Sequence, residues 1–161
     1  MIIRCVPIAP SLQVRPISHQ DWHQWQPLWD GYNAFYGRFG ASALSSEITK
    51  TTWSRFFDPS EPVEGLVACH AGELVGIAHY LFHRSTTAVA NVCYLQDLFV
   101  REDRRGCGVG EALVRRVCED ARSRKAHRLY WQTHETNQGA QRLYDRIADR
   151  SGFIVYRIAL T

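Results

Sequence analysis

Residues 95–110, Leu-Gln-Asp-Leu-Phe-Val-Arg-Glu-Asp-Arg-Arg-Gly-Cys-Gly-Val-Gly, hold the densest chemistry in the chain. A strand-like run ends at Val100, alternating glycines follow at Gly106, Gly108 and Gly110, and an amphipathic helical stretch begins. Glycines let the backbone approach a ligand closely, and several N–H groups can converge there. The helix N-terminus adds partial positive charge, so the loop is suited to cradling an anion. Arg104 and Arg105 add side-chain contacts. A Walker loop would need Gly-Lys-Ser/Thr, which is absent. The dinucleotide fingerprint fails because Glu111 stands where its last glycine belongs. What remains is R-x-x-G-x-G, formed by Arg105, Gly108 and Gly110.

A second pattern lies downstream, Asn137-x-x-Ala140-x-x-Leu143-Tyr144, followed by Gly152-Phe153. Together the two motifs resemble the GNAT acetyltransferase superfamily: the first its acyl-CoA pyrophosphate loop, the second its N-x-x-A-x-x-x-Y segment. The motifs span roughly Tyr94 to Phe153, and the resemblance covers most of the chain. Residues 94–100 are similar to the corresponding strand of spermidine/spermine N-acetyltransferases. The tryptophan-rich helix that ends in Phe35-Tyr36-Gly37 is closer to the yeast-type histone/polyamine and D-amino-acid N-acetyltransferases.

The resemblance implies that backbone groups of Leu98, Phe99 and Val100 meet a pantetheine arm. Arg105 and the amides of Gly106, Cys107, Gly108, Val109 and Gly110 would hold the pyrophosphate, and Asn137 would touch the pantetheine or the acetyl end. Tyr144 would be the general acid. A phenol of pKa ~10 can supply the proton that a departing thiolate must gain, and a backbone N–H near Leu98 could polarise the thioester carbonyl. An attacking amine of pKa ~10.4 is mostly protonated at neutral pH and needs a base. The polyamine enzymes carry Glu-Asp where this chain has Gln96-Asp97. Gln96 cannot act as base, so Asp97 is the first choice, as base or as an anchor for a cation. It suits a hydrogen-bonded strand-edge carboxylate equally well. Glu135, beside His134, is a weaker candidate. His79 and His83 share a strand face at i, i+4, but no third ligand is visible, so no metal is expected.

The expected activity is therefore that of an acetyl-CoA-dependent N-acetyltransferase, acting by direct attack of a small-molecule primary amine, a polyamine or an amino acid. The alternatives are a protein or histone lysine acetyltransferase and a non-catalytic acyl-CoA-binding sensor. Ten of the nineteen aromatic residues fall between Trp22 and Phe57, more than the cover of a small sheet requires. Tyr32, Phe35 and Tyr36, with Gln96, are expected to line the acceptor site, although these aromatics also suit a dimer contact. A homodimer is expected by resemblance, through a C-terminal strand at residues 153–160.

These residues need a scaffold. Trp22, Trp25, Trp29, Tyr32, Tyr36 and Phe39 recur at 3-4-3-4-3 spacing, one stripe of a helix. Ser18-x-x-Asp21 should open it as a capping box, and Pro27 should kink or split it. A second helix is predicted from Ser46 to Phe57. Residues 63–70 and 74–84 read as a hairpin joined by Ala71-Gly72-Glu73. Residues 2–14 and 91–100 read as extended. Helices are predicted over 108–125 and 138–150, and strands over 128–133 and 153–160. The order β-α-α-β-β-β-α-β-α-β places the chain in the α/β or α+β class. The resemblance makes this a mixed, mostly antiparallel sheet flanked by helices.

The 161 residues suit a single domain, and no internal repeat or linker interrupts them. With 45% hydrophobic and 22% charged residues the composition is that of a globular protein. No apolar run is long enough for a membrane helix, and no signal peptide is evident. Five cysteines form an odd set with no C-x-x-C pair, which argues against a zinc site or a disulfide framework and for a reducing cytoplasm. A net charge of +3 is too small to imply nucleic acid, but it is unevenly placed. Residues 1–100 hold 6 basic and 8 acidic side chains, a balance of −2, and residues 101–161 hold 13 and 8, a balance of +5. Arginines make up 17 of the 19 basic residues, which favours forked contacts with an anion.

Overall fold

The computed structural model describes residues 12–160. Its first strand, β1 (Leu12–Pro16), leads through a tight turn into α1 (Trp22–Phe35) and α2 (Ser46–Arg55). Strands β2 (Val63–His70), β3 (Glu73–Ser85) and β4 (Ala88–Val100) follow, then α3 (Val109–Ser123), β5 (Leu129–Trp131) and α4 (Gln138–Ile147). Most of the predicted extended start, residues 2–11, lies outside the described residues. The five strands lie in chain order, antiparallel except for the parallel β4–β5 pair. This is the mixed, mostly antiparallel sheet with flanking helices that was expected.

The hairpin forms where predicted. Ala71 and Gly72 both take positive φ (51° and 82°), as a two-residue turn twisted to suit its strands requires. Ser18 also plays its expected part: its backbone N–H donates to Asp21 Oδ2 at 2.8 Å and its hydroxyl at 3.0 Å. Arg15 reaches the same carboxylate from β1 with a fork of 2.7 and 2.8 Å, tying α1 to the sheet edge.

Pro27 does not split α1, which runs on to Phe35. Trp25, Leu28 and Trp29 on either side of the proline are buried, and that burial outweighs one lost helix bond. Residues 153–160 are not a strand. They pair with no strand among the described residues, and Phe153, Tyr156, Ile158 and Leu160 are 92, 87, 85 and 91% exposed. A strand is stable only within a ladder, and this segment has none here.

Apolar residues cover both faces of the sheet. On one, α1 and α2 bury Trp25, Leu28, Trp29 and Tyr32 against Val67 and Ile77. On the other, α3 buries the predicted stripe Val109, Leu113, Val117 and Ala121 against Leu66, Ala78, Tyr80, Cys93 and Leu95. On β4 the inward positions change parity. Cys93 and Leu95 face α3, but so do Leu98 and Val100. The cause is a bulge: Tyr80 pairs with Leu95 and His79 with Asp97, leaving Gln96 as an extra residue. The slip turns Asp97 and Phe99 toward α1.

Candidate active site

Strand β4 is the spine of the site. One edge pairs with β3 out to Val100. The other pairs with β5 only over Cys93–Leu95, so from Gln96 onward β4 and β5 separate. A cavity of about 760 Å³ lies in that opening. Of the expected residues, Tyr32, Phe35, Tyr36, Gln96, Leu98, Phe99, Val100, Arg105, Gly106, Gly108, Gly110, Asn137 and Tyr144 all line it. Cys107, Val109 and Asp97 do not. Val109 turns its side chain into the core, which leaves only its backbone for a ligand.

At one end of the cavity stands the glycine loop. Gly106 (φ 73°) and Gly108 (φ 84°) are in the left-handed region that favours glycine, and Gly108 begins α3. Gly110 lies close to the next helix: a Cβ there would meet Leu143 Cδ2 at 3.3 Å and Val100 Cγ2 at 3.6 Å. Arg105 bends back so that its Nε donates to the Val100 carbonyl at 3.1 Å, with its guanidinium over the Phe35 and Phe99 rings. Arg104 also lines the cavity, its Nε at 3.6 Å from Asp103 Oδ2. An N-terminal helix turn and two left-handed glycines with arginines beside them fit a diphosphate.

The middle of the cavity is built by β5 and α4. Asn137 caps α4, its Oδ1 accepting from the Ala140 N–H at 3.2 Å. Tyr144 packs edge-on against Trp131, ring centroids 5.2 Å apart. Burial, with a smaller contribution from Tyr36, pushes the Tyr144 phenol up to about 12, so it carries its proton across the physiological range.

Beyond Tyr32 lies Asp97, 8% exposed. Burial, together with the negative charge of this carboxylate, raises the Tyr32 phenol far above its ordinary range. Burial and the same charge also raise Tyr36 and Tyr94. On its other side Asp97 meets His79, with Nδ1 3.0 Å from Oδ2, and the Trp25 indole N–H donates to His79 Nε2 at 3.0 Å. Gly31 permits this packing: a Cβ there would come within 2.8 Å of the Phe99 ring. His79 is buried and His83 bonds Tyr130, so the two histidines have separate partners. Glu135 is exposed and away from the cavity lining. Among the described residues no group of three His, Cys, Asp or Glu could hold a metal.

Sequence reasoning missed Trp25 and His79 as partners of Asp97, and Trp131, Arg142 and Arg146 as lining residues. For the two arginines a signal existed, since they flank Tyr144 two residues away on either side. For His79 none did, because its register against Asp97 depends on the bulge.

Residues 22–148 match the Acetyltransferase (GNAT) family. The chain belongs to that family. It is 33% identical over 152 residues to the D-amino-acid N-acetyltransferase HPA3 of Saccharomyces cerevisiae, a match covering 93% of this chain and 92% of the relative. Among solved structures it resembles the ribosomal-protein-alanine N-acetyltransferase from Brucella melitensis biovar Abortus 2308, with a TM-score of 0.76, 18% identity, and 94 and 100% of the two chains covered. An aminoglycoside acetyltransferase from an uncultured soil metagenomic sample gives a TM-score of 0.77 at 16% identity, covering 96% of this chain and 98% of its own. At those identities the solved structures speak for the fold. The family match and the yeast relative make this GNAT protein an N-acetyltransferase.

Proposed function

We propose that this N-acetyltransferase takes its acetyl group from acetyl-CoA and delivers it to the primary amine of a small molecule by direct attack. The observation that carries this reading is Asp97: a buried carboxylate with no Arg or Lys ion-pair partner among the described residues, beside an aromatic-walled cavity. Buried charges are ordinarily paired, and an acceptor's ammonium supplies the missing cation. Asp97, set behind the lining at Tyr32, attracts that ammonium by its charge and receives its proton by relay from the cavity, and the Tyr144 phenol protonates the departing thiolate. The amides at the start of α3, with Arg104 and Arg105, hold the diphosphate of the donor, and the unpaired edge of β4 from Leu98 to Val100 meets its pantetheine arm.

Within the small-molecule class an amino acid is favoured over a polyamine. Arg38 stands over the Tyr32 and Tyr36 rings, at 5.7 and 5.5 Å, a cation behind the aromatic wall whose charge favours an acceptor that carries a carboxylate. A polyamine would bring a second ammonium there instead. The name of the yeast relative agrees with this choice. The test is release of free CoA thiol against a panel of D- and L-amino acids, polyamines and a basic peptide. Turnover with amino acids is expected, and thiol release with no amine at all would end the reading. Tyr144→Phe should slow turnover roughly ten- to a hundredfold if protonation of the thiolate limits the rate.

We read residues 151–160 as the contact that builds a homodimer. They present six large apolar side chains to solvent, a surface that calls for a covering partner. Sedimentation should show a dimer for the full chain and a monomer for a chain ending at Ser151. A full chain that sediments as a monomer at high concentration would remove this contact.

A further inference from the structure

The proposed chemistry leaves unexplained why a tryptophan and a histidine, both nearly inaccessible to water, are lined up behind Asp97. We propose that Trp25 and His79 are positioning residues that hold the Asp97 carboxylate in one orientation for the amine acceptor. This rests on the acceptor role assigned to Asp97, but the hydrogen-bond chain itself does not.

The direction of the chain follows from the donor inventory. An indole N–H only donates. Trp25 Nε1 lies 3.0 Å from His79 Nε2, so that nitrogen presents its lone pair. The proton of the neutral ring is therefore on Nδ1, which donates to Asp97 Oδ2 at 3.0 Å. A second proton on Nε2 would set N–H against N–H. The imidazole has no freedom to turn away: it is 1% exposed, and the rings of Phe56, Trp29 and Trp25 surround it at 4.7, 5.4 and 5.9 Å.

Two consequences follow for the acceptor end. His79 supplies a neutral donor where an imidazolium would have cancelled the charge of Asp97, so the carboxylate keeps its attraction for an ammonium. The inner end of the chain is also closed. A proton taken up by Asp97 cannot pass to His79, whose Nε2 is occupied, and must leave toward the cavity. Only the bulge at Gln96 makes this possible, because it is what sets Asp97 opposite His79.

The decisive measurement is long-range ¹H–¹⁵N correlation on imidazole-labelled wild-type protein at neutral pH, with the His79 signals identified by their loss in His79→Asn. A protonated Nδ1 and a lone-pair Nε2 are expected. The opposite tautomer, or an imidazolium, would overturn the proposal. Kinetics give the second arm. Trp25→Phe removes the N–H donor and should raise KM for the amine about tenfold, with KM for acetyl-CoA unchanged. His79→Leu should lower kcat/KM for the amine by about tenfold or more, while His79→Asn, which can present an N–H near the Nδ1 position, should recover most of that loss. Equal losses in the Leu and Asn variants, or parallel rises in both KM values, would mean only structural support and refute the positioning role. Absence of turnover with every amine would instead remove the acetyl-transfer reading, and the tautomer spectrum would still decide the hydrogen-bond chain.

Discussion

The glycine-loop end of the cavity is made chiefly of backbone, whereas the tryptophan end is made of side chains. At Gly106, Gly108 and Gly110 the sequence removes side chains so that amides and a helix terminus face the opening. At Trp25, His79 and Asp97 three side chains from α1, β3 and β4 meet in a hydrogen-bonded chain, with Tyr32 beside it. In the proposed reading the first arrangement holds the diphosphate common to every acyl-CoA, and the second meets what differs between acceptors. Backbone cradles depend on local chain geometry and are written in short motifs, while side-chain chains depend on register between distant elements.

The largest expected effect comes from breaking the tryptophan end alone. Asp97→Asn keeps the shape and leaves His79 an oxygen to donate to, but removes the charge and the proton acceptor. It should lower kcat/KM for the amine about 10²- to 10⁴-fold, while acetyl-CoA binding measured by calorimetry stays within about twofold, as expected for separated sites. An equal fall in acetyl-CoA affinity would show that the two ends are not independent.

The converse change is smaller. Gly110→Val brings a branched side chain against Leu143 and Val100, where even a Cβ is at 3.3 and 3.6 Å. Crowding of this kind typically costs ~1–3 kcal/mol, so KM for acetyl-CoA should rise about tenfold. With the donor saturating, the amine kinetics should match wild type. A rise in amine KM of the same size would show that strain crosses the cavity through Leu143 and Tyr144.

The same contrast explains what the sequence revealed. The R-x-x-G-x-G loop and the Asn137–Tyr144 segment could be read directly, because each places its groups within one turn or one helix. The amphipathic stripe of α3 was equally clear, since Val109, Leu113, Val117 and Ala121 keep one period throughout. Asp97 was ambiguous for a physical reason. Its face depends on a one-residue slip at Gln96, and alternation along β4 alone does not show where the slip falls. His79 was invisible as its partner for the same cause. The last strand failed differently: residues 153–160 have the apolar, β-branched and aromatic composition of a strand, but they pair with no strand among the described residues.

The smallest expected effect concerns how α1, and so the tryptophan end, is fixed to the sheet. Asp21 accepts a forked pair from Arg15 and an N–H and a hydroxyl from Ser18. The Arg15 hydrogen bonds first, then those of Ser18, hold its carboxyl below the ordinary range against the opposing effect of burial. Because the folded value lies below the unfolded ~3.9, the carboxylate stabilises the fold fully above that unfolded value. The contribution fades as pH falls through the folded value. Asp21→Asn should therefore lower Tm by roughly 3–6 °C at neutral pH, and the gap to wild type should narrow as pH falls below the unfolded value and close below the folded one. A gap that persisted in acid would trace the loss to packing, with the ion pair excluded as its source. The glycine-loop end is fastened by other groups, Glu111 with Arg115 and Arg146. The same substitution should therefore raise KM for the amine slightly and leave KM for acetyl-CoA where it was.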